Sequence, residues 1–284
     1  MPISLADHNP DSRFQILLDR QSALDIGAFV VDGVDLSPGD AIPSDGDRRI
    51  DRALPGFLFT CGPDHVRHPE PVEGADDGRL FPLHGSLCGT PVTSTAMSED
   101  PARPGCSART EVALADGGSA VVDRLWAVDP DGREVILTDR IGNTGETPFP
   151  PMLMYHINFG AWMFDAATRI EGAMLPAGGI PWRFGDGDTQ VFCVPAGEGD
   201  AEGYASVSVG PIPEIGGRSV HIRFDTKTLP FLQIWRNQVG HANVLGIEPV
   251  SHRWVKRTEL AQAGELVALQ PGQSIDYALA FQVR

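Results

Sequence analysis

Apolar and polar residues alternate along short runs through most of the chain. Arg13–Leu18, Ala120–Val128, Glu134–Thr138, Leu153–Asn158, Val191–Val194, Ala205–Val209, Ser219–Phe224, Phe231–Trp235 and Ile275–Val283 are of this kind. A period of two sends successive side chains to opposite faces, so these runs predict strands, several with one face buried. Asp131-Gly132 falls between two runs as a hairpin turn would, and Asp116–Gly118 and Gly216-Gly217 suit the same task. Only short stretches such as Thr258–Ala263 read as helix. On the order of a dozen strands with almost no helix predicts an all-β fold, a large antiparallel β-sandwich. Ser37–Ala53 and Gly62–Leu80 are rich in Gly, Pro and Asp and resist a strand reading. The second runs into His84, and a loop of that length in a compact domain suggests function. With no internal repeat or composition break, residues 1–284 are expected to form a single domain, with 1–12 as a flexible N-terminal arm.

Composition narrows the chemistry. Hydrophobic residues make up 42% of the 284 positions and charged ones 21%, which describes a globular chain and not a disordered one. The formal charge of −16 argues against nucleic acid and against anionic membrane surfaces, both of which need clustered Lys and Arg. The first ten residues show neither a basic nor an apolar signal region, and no apolar stretch reaches transmembrane length. Cys61, Cys88, Cys106 and Cys193 are widely spaced, which suits neither a disulfide scaffold nor structural zinc. A soluble cytoplasmic protein with reduced thiols is the expectation.

Phosphate-binding glycine loops, the G-x-S-x-G elbow and H-E-x-x-H are missing. His65, His68 and His84 could meet on a metal, but outside a helix their spacing carries little geometry, and neither metal nor cofactor is expected. What remains is a set of polar residues in apolar settings. His156 lies inside Met152–Gly160, which reads as a buried central strand, and a hydrogen-bonded core histidine is the competing account. Glu248 lies inside Val244–Pro249, where a carboxylate is costly to bury unless it is paired or lines a cavity. His84 tops a turn before Gly85 and reads equally as a surface residue. Together the three suit the opening of a sugar hemiacetal. That reaction needs a base for the anomeric hydroxyl and an acid for the ring oxygen, and a Glu and a His can supply them near neutral pH. Trp235 offers a flat apolar face for sugar C–H groups, unless it is a core residue.

The wording and order of several segments resemble the aldose 1-epimerase (galactose mutarotase-like) superfamily, above all its bacterial branch of unassigned substrate. They are Ser22–Gly27, Pro55–Gly62 with Asp64, Leu83–Gly85, Leu153–Gly160, Leu229–Trp235 and Leu245–Pro249. The resemblance implies a β-supersandwich with a sugar cleft across one concave sheet. It implies Glu248 as general base, His156 as general acid on the ring oxygen, and His84 as a residue holding the sugar. Asp64, Asn158 and Trp235 fall in matching segments expected to bind substrate, and the adjacent Arg236 is expected to contact an anionic one. The expected partner is a small-molecule carbohydrate, with a homodimer as the candidate assembly. Departures bear on substrate choice: Ser86–Gly89 lacks the Arg or Asn of many relatives, Asp64-His65 replaces Asp-Asn, and Val250–Trp254 lacks an Asn.

Arg236, Arg253, Lys256 and Arg257 surround Glu248 in sequence, which reads either as a solvated strand edge or as a site for a sugar acid or sugar phosphate. The leading expectation is an isomerase that interconverts α and β anomers. A non-catalytic sugar sensor is the second. Another carbohydrate enzyme is the third, although a hydrolase normally needs a second carboxylate and nothing places Asp139 or Asp165 beside Glu248.

Overall fold

The computed structural model describes residues 2–6, 14–42, 44, 46–100, 104–129 and 134–284. In chain order its strands begin with β1 (Ile3–Ala6), β2 (Phe14–Asp19), β3 (Asp25–Val31), β4 (Val34–Asp35), β5 (Leu58–Cys61), β6 (Glu70–Pro71) and β7 (Leu80–Phe81). There follow β8 (Ser94–Met97), β9 (Gly105–Ala113), β10 (Ser119–Val128), β11 (Glu134–Asn143), β12 (Met154–Gly160), β13 (Arg169–Glu171) and β14 (Gly179–Pro181). The last are β15 (Thr189–Pro195), β16 (Tyr204–Ile212), β17 (Arg218–Asp225), β18 (Phe231–Asn237), β19 (Val244–Val250) and β20 (Ser274–Val283). Two short helices, α1 (Arg48–Ala53) and α2 (Arg257–Gln262), complete the regular structure apart from three single 3-10 turns. Each of the nine alternating runs lies in or overlaps a strand.

Two nine-stranded antiparallel sheets pack face to face. One runs β1-β2-β3-β5-β12-β19-β18-β15, with β4 on β3, and the other runs β14-β13-β16-β17-β20-β11-β10-β9-β8. Alternation explains the layers. On β12 the odd residues Tyr155, Ile157 and Phe159 enter the core between the sheets, and on β19 Leu245 and Ile247 do the same. The even residues face outward, where Met154, Val244 and Val250 join a second apolar cluster with Ile50, Leu54 and Leu260 from the helices and their flanks. Both strands are therefore buried on both faces, and they read as continuous apolar runs.

Three expectations need correction or limits. The N-terminal arm is in part a strand: β1 pairs with β2 along its length and buries Leu5, because its alternation continues the sheet. Residues 7–13 lie outside the described set, as does the turn expected at Asp131-Gly132. The Ser37–Ala53 stretch contains a helix, α1, which starts where the Asp47 side chain accepts a hydrogen bond from the Arg49 amide and buries Ile50 and Ala53. The helix expected near Thr258–Ala263 is α2. The four cysteines are unbridged. Among the described residues, no helix is long and apolar enough to cross a membrane.

Candidate active site

The outer face of the first sheet carries a cleft of about 480 Å³. Register builds its floor. Ile157 on β12 lies opposite Ile247 on β19, and Gln233 on β18 lies opposite Glu248. His156, Glu248 and Gln233 thus form one row across three neighbouring strands. Phe59 on β5 extends the row on the side of His156, and Cys193 on β15 on the side of Gln233. Trp235 stands in the next row, opposite Gly246.

Glu248 is completely buried, and His156 is 4% exposed. Nε2 of His156 stands 3.2 Å from Oε1 of Glu248. Oε1 nevertheless accepts no well-aligned hydrogen bond, and Nδ1 of His156 has no partner either. The other carboxyl oxygen, Oε2, is fixed by a hydrogen bond donated by the Gln233 amide. Burial pushes the Glu248 carboxyl up to about 8, against the pull of the Gln233 hydrogen bond. Burial also drives His156 well below the usual imidazole value, assisted by the nearby His84 and opposed by the Asn158 side chain. Around neutral pH the site therefore holds a carboxylic acid beside a neutral imidazole, two groups whose surroundings penalise charge.

Rings frame the pair. His156 stacks on Phe59 at 4.6 Å between centroids and meets Trp235 edge-on at 5.5 Å and His84 edge-on at 5.7 Å. His84 takes a left-handed backbone with φ +59, followed by Gly85 at φ +82. A Cβ at position 85 would lie 2.1 Å from the His65 carbonyl oxygen, so the tight turn that aims His84 into the cleft needs a glycine after it. Burial lowers His84 to about 4.

Of the residues expected at the site, His156, Glu248, His84 and Trp235 line the cleft together. Three others do not line it. Asp64 is buried below it and accepts hydrogen bonds from the Ser86 amide and hydroxyl and from the Ala115 amide, pinning the loop that carries His84. Asn158 shares a face with His156, but its amide donates to the carbonyls of Leu54 and Gly56 under cover of the α1 flank. Arg236 lies on the opposite face of β18 from Gln233 and Trp235. It is 1% exposed, and its guanidinium donates to the Phe184 and Gly187 carbonyls and to Gln238. Alternation alone excludes Arg236 from the Trp235 face. The same period, counted back from Trp235, points to Gln233, which the sequence reading passed over. Gly246 was also passed over: a Cβ there would lie 2.7 Å from Oε1 of Glu248 and 3.2 Å from the His156 ring.

His65 does not join His84, because its Nε2 lies 2.7 Å from the His68 carbonyl oxygen and its ring stacks on Phe81. Among the described residues, no cluster of three or more His, Cys, Asp or Glu side chains is arranged to hold a metal ion.

Comparison with known proteins fits this architecture. The family described as "Domain of unknown function (DUF4432)" matches residues 5–175 and 185–283. The sequence matches no curated protein. Among solved structures, a "putative aldose 1-epimerase" from Klebsiella pneumoniae is 18% identical with a TM-score of 0.75, covering 99% of this chain and 83% of its own. A galactose mutarotase-like protein from Lactobacillus casei is 11% identical with a TM-score of 0.69, over all of both chains. A galactose mutarotase related enzyme from Lactobacillus acidophilus is 10% identical with a TM-score of 0.67, covering 100% of this chain and 97% of its own. Identities this low establish a shared fold, the galactose mutarotase-like β-sandwich that the sequence motifs resemble.

Proposed function

The chain belongs to the DUF4432 family, and from the cleft it builds we propose that it is a mutarotase acting on a sugar or sugar derivative. In this reading the chain acts as one carbohydrate-binding and catalytic unit. The observation that carries the reading is the buried Glu248–His156 pair, 3.2 Å apart, with Oε1 left without an aligned partner on the floor of an open cleft. A buried polar atom without a partner is costly, and a ligand that supplies the missing hydrogen bonds removes that cost.

The pair can exist as carboxylic acid with imidazole or as carboxylate with imidazolium, the two differing by one proton transfer. The charged form does the chemistry, and a sugar hydroxyl bonding to Oε1 favours it by stabilising the carboxylate. Glu248 then takes the proton of the C1 hydroxyl while His156 gives its proton to the ring oxygen. The C1–ring oxygen bond breaks and the C1–O1 bond becomes a carbonyl. After rotation about C1–C2 the ring closes and both protons return, so nothing is gained or lost. Gln233 holds Oε2 so that Oε1 keeps its aim, and Trp235 gives the sugar's C–H groups a flat surface.

Anomer exchange followed by NMR over a panel of aldoses and sugar acids tests the proposal. Glu248→Gln is expected to keep the fold and lose about 10²–10⁴-fold in rate, the usual range for general acid–base catalysis. An undiminished rate in that variant would refute it. In the wild type, kcat/KM is expected to fall as pH rises through about 8, because the active carboxylate–imidazolium form holds the same single proton as the resting pair and that proton is then lost.

A further inference from the structure

We propose that Arg67 makes the cleft selective for aldoses carrying an anionic group, a carboxylate or a phosphate, at the end of the sugar remote from C1. This deepens the mutarotase reading and rests on it for the direction in which the sugar lies.

The argument begins with an inventory of charge. The protein has a formal charge of −16, yet Glu248 is the only Asp or Glu among the described residues lining the cleft, and its surroundings favour the neutral form. The cleft also contains Arg67, a permanent cation, beside the neutral imidazoles of His84 and His156. It is a locally positive hollow in an acidic molecule. The exterior charge does not prevent an anion from binding there, because at physiological salt it is screened beyond about 8 Å.

The arginines nearby are committed to the protein. Arg236 is spent on carbonyls, Arg253 grips the Glu265 carboxylate at 2.9 Å, and Arg257 donates to the Asp64 carbonyl at 2.7 Å while lying over the Phe81 ring. Arg49 pairs with Asp47 at 2.7 Å. Arg67 differs. Its guanidinium lies 5.5 Å from the Trp254 ring centroid and donates from Nη1 to the Val255 carbonyl, but Nε is buried without a partner. Among the described residues, no carboxylate comes within ion-pair distance of it. Glu70, the acid that influences it most, acts at a distance while accepting a hydrogen bond from the Arg257 amide. An arginine held flat by an aromatic ring, with most of its five donors free, presents the planar fork that carboxylate and phosphate match.

Covering this guanidinium with a neutral sugar would remove its water and leave the charge uncompensated. Covering it with an anion would replace the water by a counter-charge. The position of the anion follows from the sheet. Arg67 donates to the Val255 carbonyl and lies against the Trp254 ring, both past the end of β19 at Val250, whereas Glu248 lies within that strand. Arg67 therefore stands beyond the reacting atoms. With C1 at Glu248, it meets the far end of the sugar. A 1-phosphate is excluded in any case, since it has no free anomeric hydroxyl to deprotonate.

The test measures NMR anomer exchange on matched sets: glucose, glucuronate and glucose 6-phosphate, then galactose, galacturonate and galactose 6-phosphate. The wild type is expected to favour an anionic member over its neutral partner at least tenfold in kcat/KM, and the preferred anion tells carboxylate from phosphate. Arg67→Met should lower the anionic rate tenfold or more, mainly through KM, and the neutral rate far less. Arg67→Lys should recover part of the loss, and thermal melting confirms that both variants fold. Equal loss on neutral and anionic sugars, or a wild type that favours neutral ones, overturns the inference. Absence of exchange on every sugar defeats the mutarotase reading instead. Calorimetric titration with glucuronate and glucose 6-phosphate then decides this inference separately: anion binding lost in Arg67→Met supports it, and binding equal to that of glucose overturns it.

Discussion

Tyr155 and His156 are neighbours on one strand, and they enter two opposite kinds of buried polar site. Tyr155 points between the sheets, where its hydroxyl donates to Oδ2 of Asp139 at 2.8 Å. That carboxylate takes two hydrogen bonds from Arg124, whose remaining donors go to Asp25 at 2.5 Å, Thr60 at 2.7 Å and the Ala23 carbonyl at 2.9 Å. Asp25 is further held by Ser22 and by the Thr60 amide and hydroxyl. Burial alone would weaken the charge on Arg124, but the two carboxylates hold it above the usual arginine value. His156 points the other way, towards a carboxyl group with no counter-charge and an oxygen without an aligned donor. The saturated cluster ties strands of one sheet to the other and leaves nothing for a ligand to satisfy. The unsaturated pair is costly by itself and chemically useful to a guest. Buried charge by itself does not mark a functional site; unmet hydrogen-bonding capacity beside an open cavity does.

The largest effect that separates the two sites is expected from Arg124→Met. It strands two buried carboxylates and should cost about 3–5 kcal/mol in urea unfolding, whereas Glu248→Gln, a near-isosteric change, should leave the urea midpoint close to wild type at acidic pH. A stability loss in Glu248→Gln as large as that in Arg124→Met would erase the distinction.

Titration separates them next. A carboxyl raised to about 8 when folded binds its proton more tightly in the native state, so its contribution to stability is present at low pH and is lost as pH rises through 8. Glu248→Gln should therefore gain on the wild type between about pH 5 and pH 8, by up to roughly 1.4 kcal/mol per unit. His84, lowered to about 4, works with the opposite sign: the native state loses stability as pH falls from about 6.5 towards 4, and His84→Gln should flatten that limb. Parallel pH curves for wild type and variants would contradict the burial-driven shifts.

Gly246→Ala probes aim. The new Cβ would displace the Glu248 carboxyl, and misplacement on the order of 1 Å typically costs about 10²-fold in rate, so a loss of one to two orders of magnitude in kcat is expected. A rate within twofold of wild type would show that the carboxyl tolerates movement. The smallest effect is expected from Tyr155→Phe, which removes one hydrogen bond to Asp139 and should cost about 1–2 kcal/mol of stability without changing kcat. A large loss of kcat there would mean that the two sites are coupled through the strand.

Much of this was legible before any coordinates. Alternation located the long strands, and the two most apolar runs revealed their exceptions, His156 and Glu248, because a titratable residue in such a run calls for an explanation. Arg236 shows a signal that was present but not used: two-residue periodicity assigns it to the core face, opposite Trp235. Asp64 and Asn158 lie in the right segments, but only coordinates show that the Asp64 carboxylate is held by the Ser86 amide and hydroxyl and the Ala115 amide, and that the Asn158 amide donates to the Leu54 and Gly56 carbonyls. Arg67 lies in a stretch without periodicity, so nothing local distinguishes it from a solvated arginine.

By itself, then, the sequence determined the all-β class, the strands, the resemblance to galactose mutarotase-like proteins, and which polar residues sit where polar residues are costly. Those properties are local, set by the period of the side chains and the cost of burial. The tertiary structure alone decided that His156, Glu248 and Gln233 share a row, that Gly246 leaves room for the carboxyl, and that Arg67 faces the cleft while Arg236, Arg253 and Arg257 are occupied. These depend on strand register and on partners far away in the chain, and a partner's distance in sequence carries no record of its distance in space.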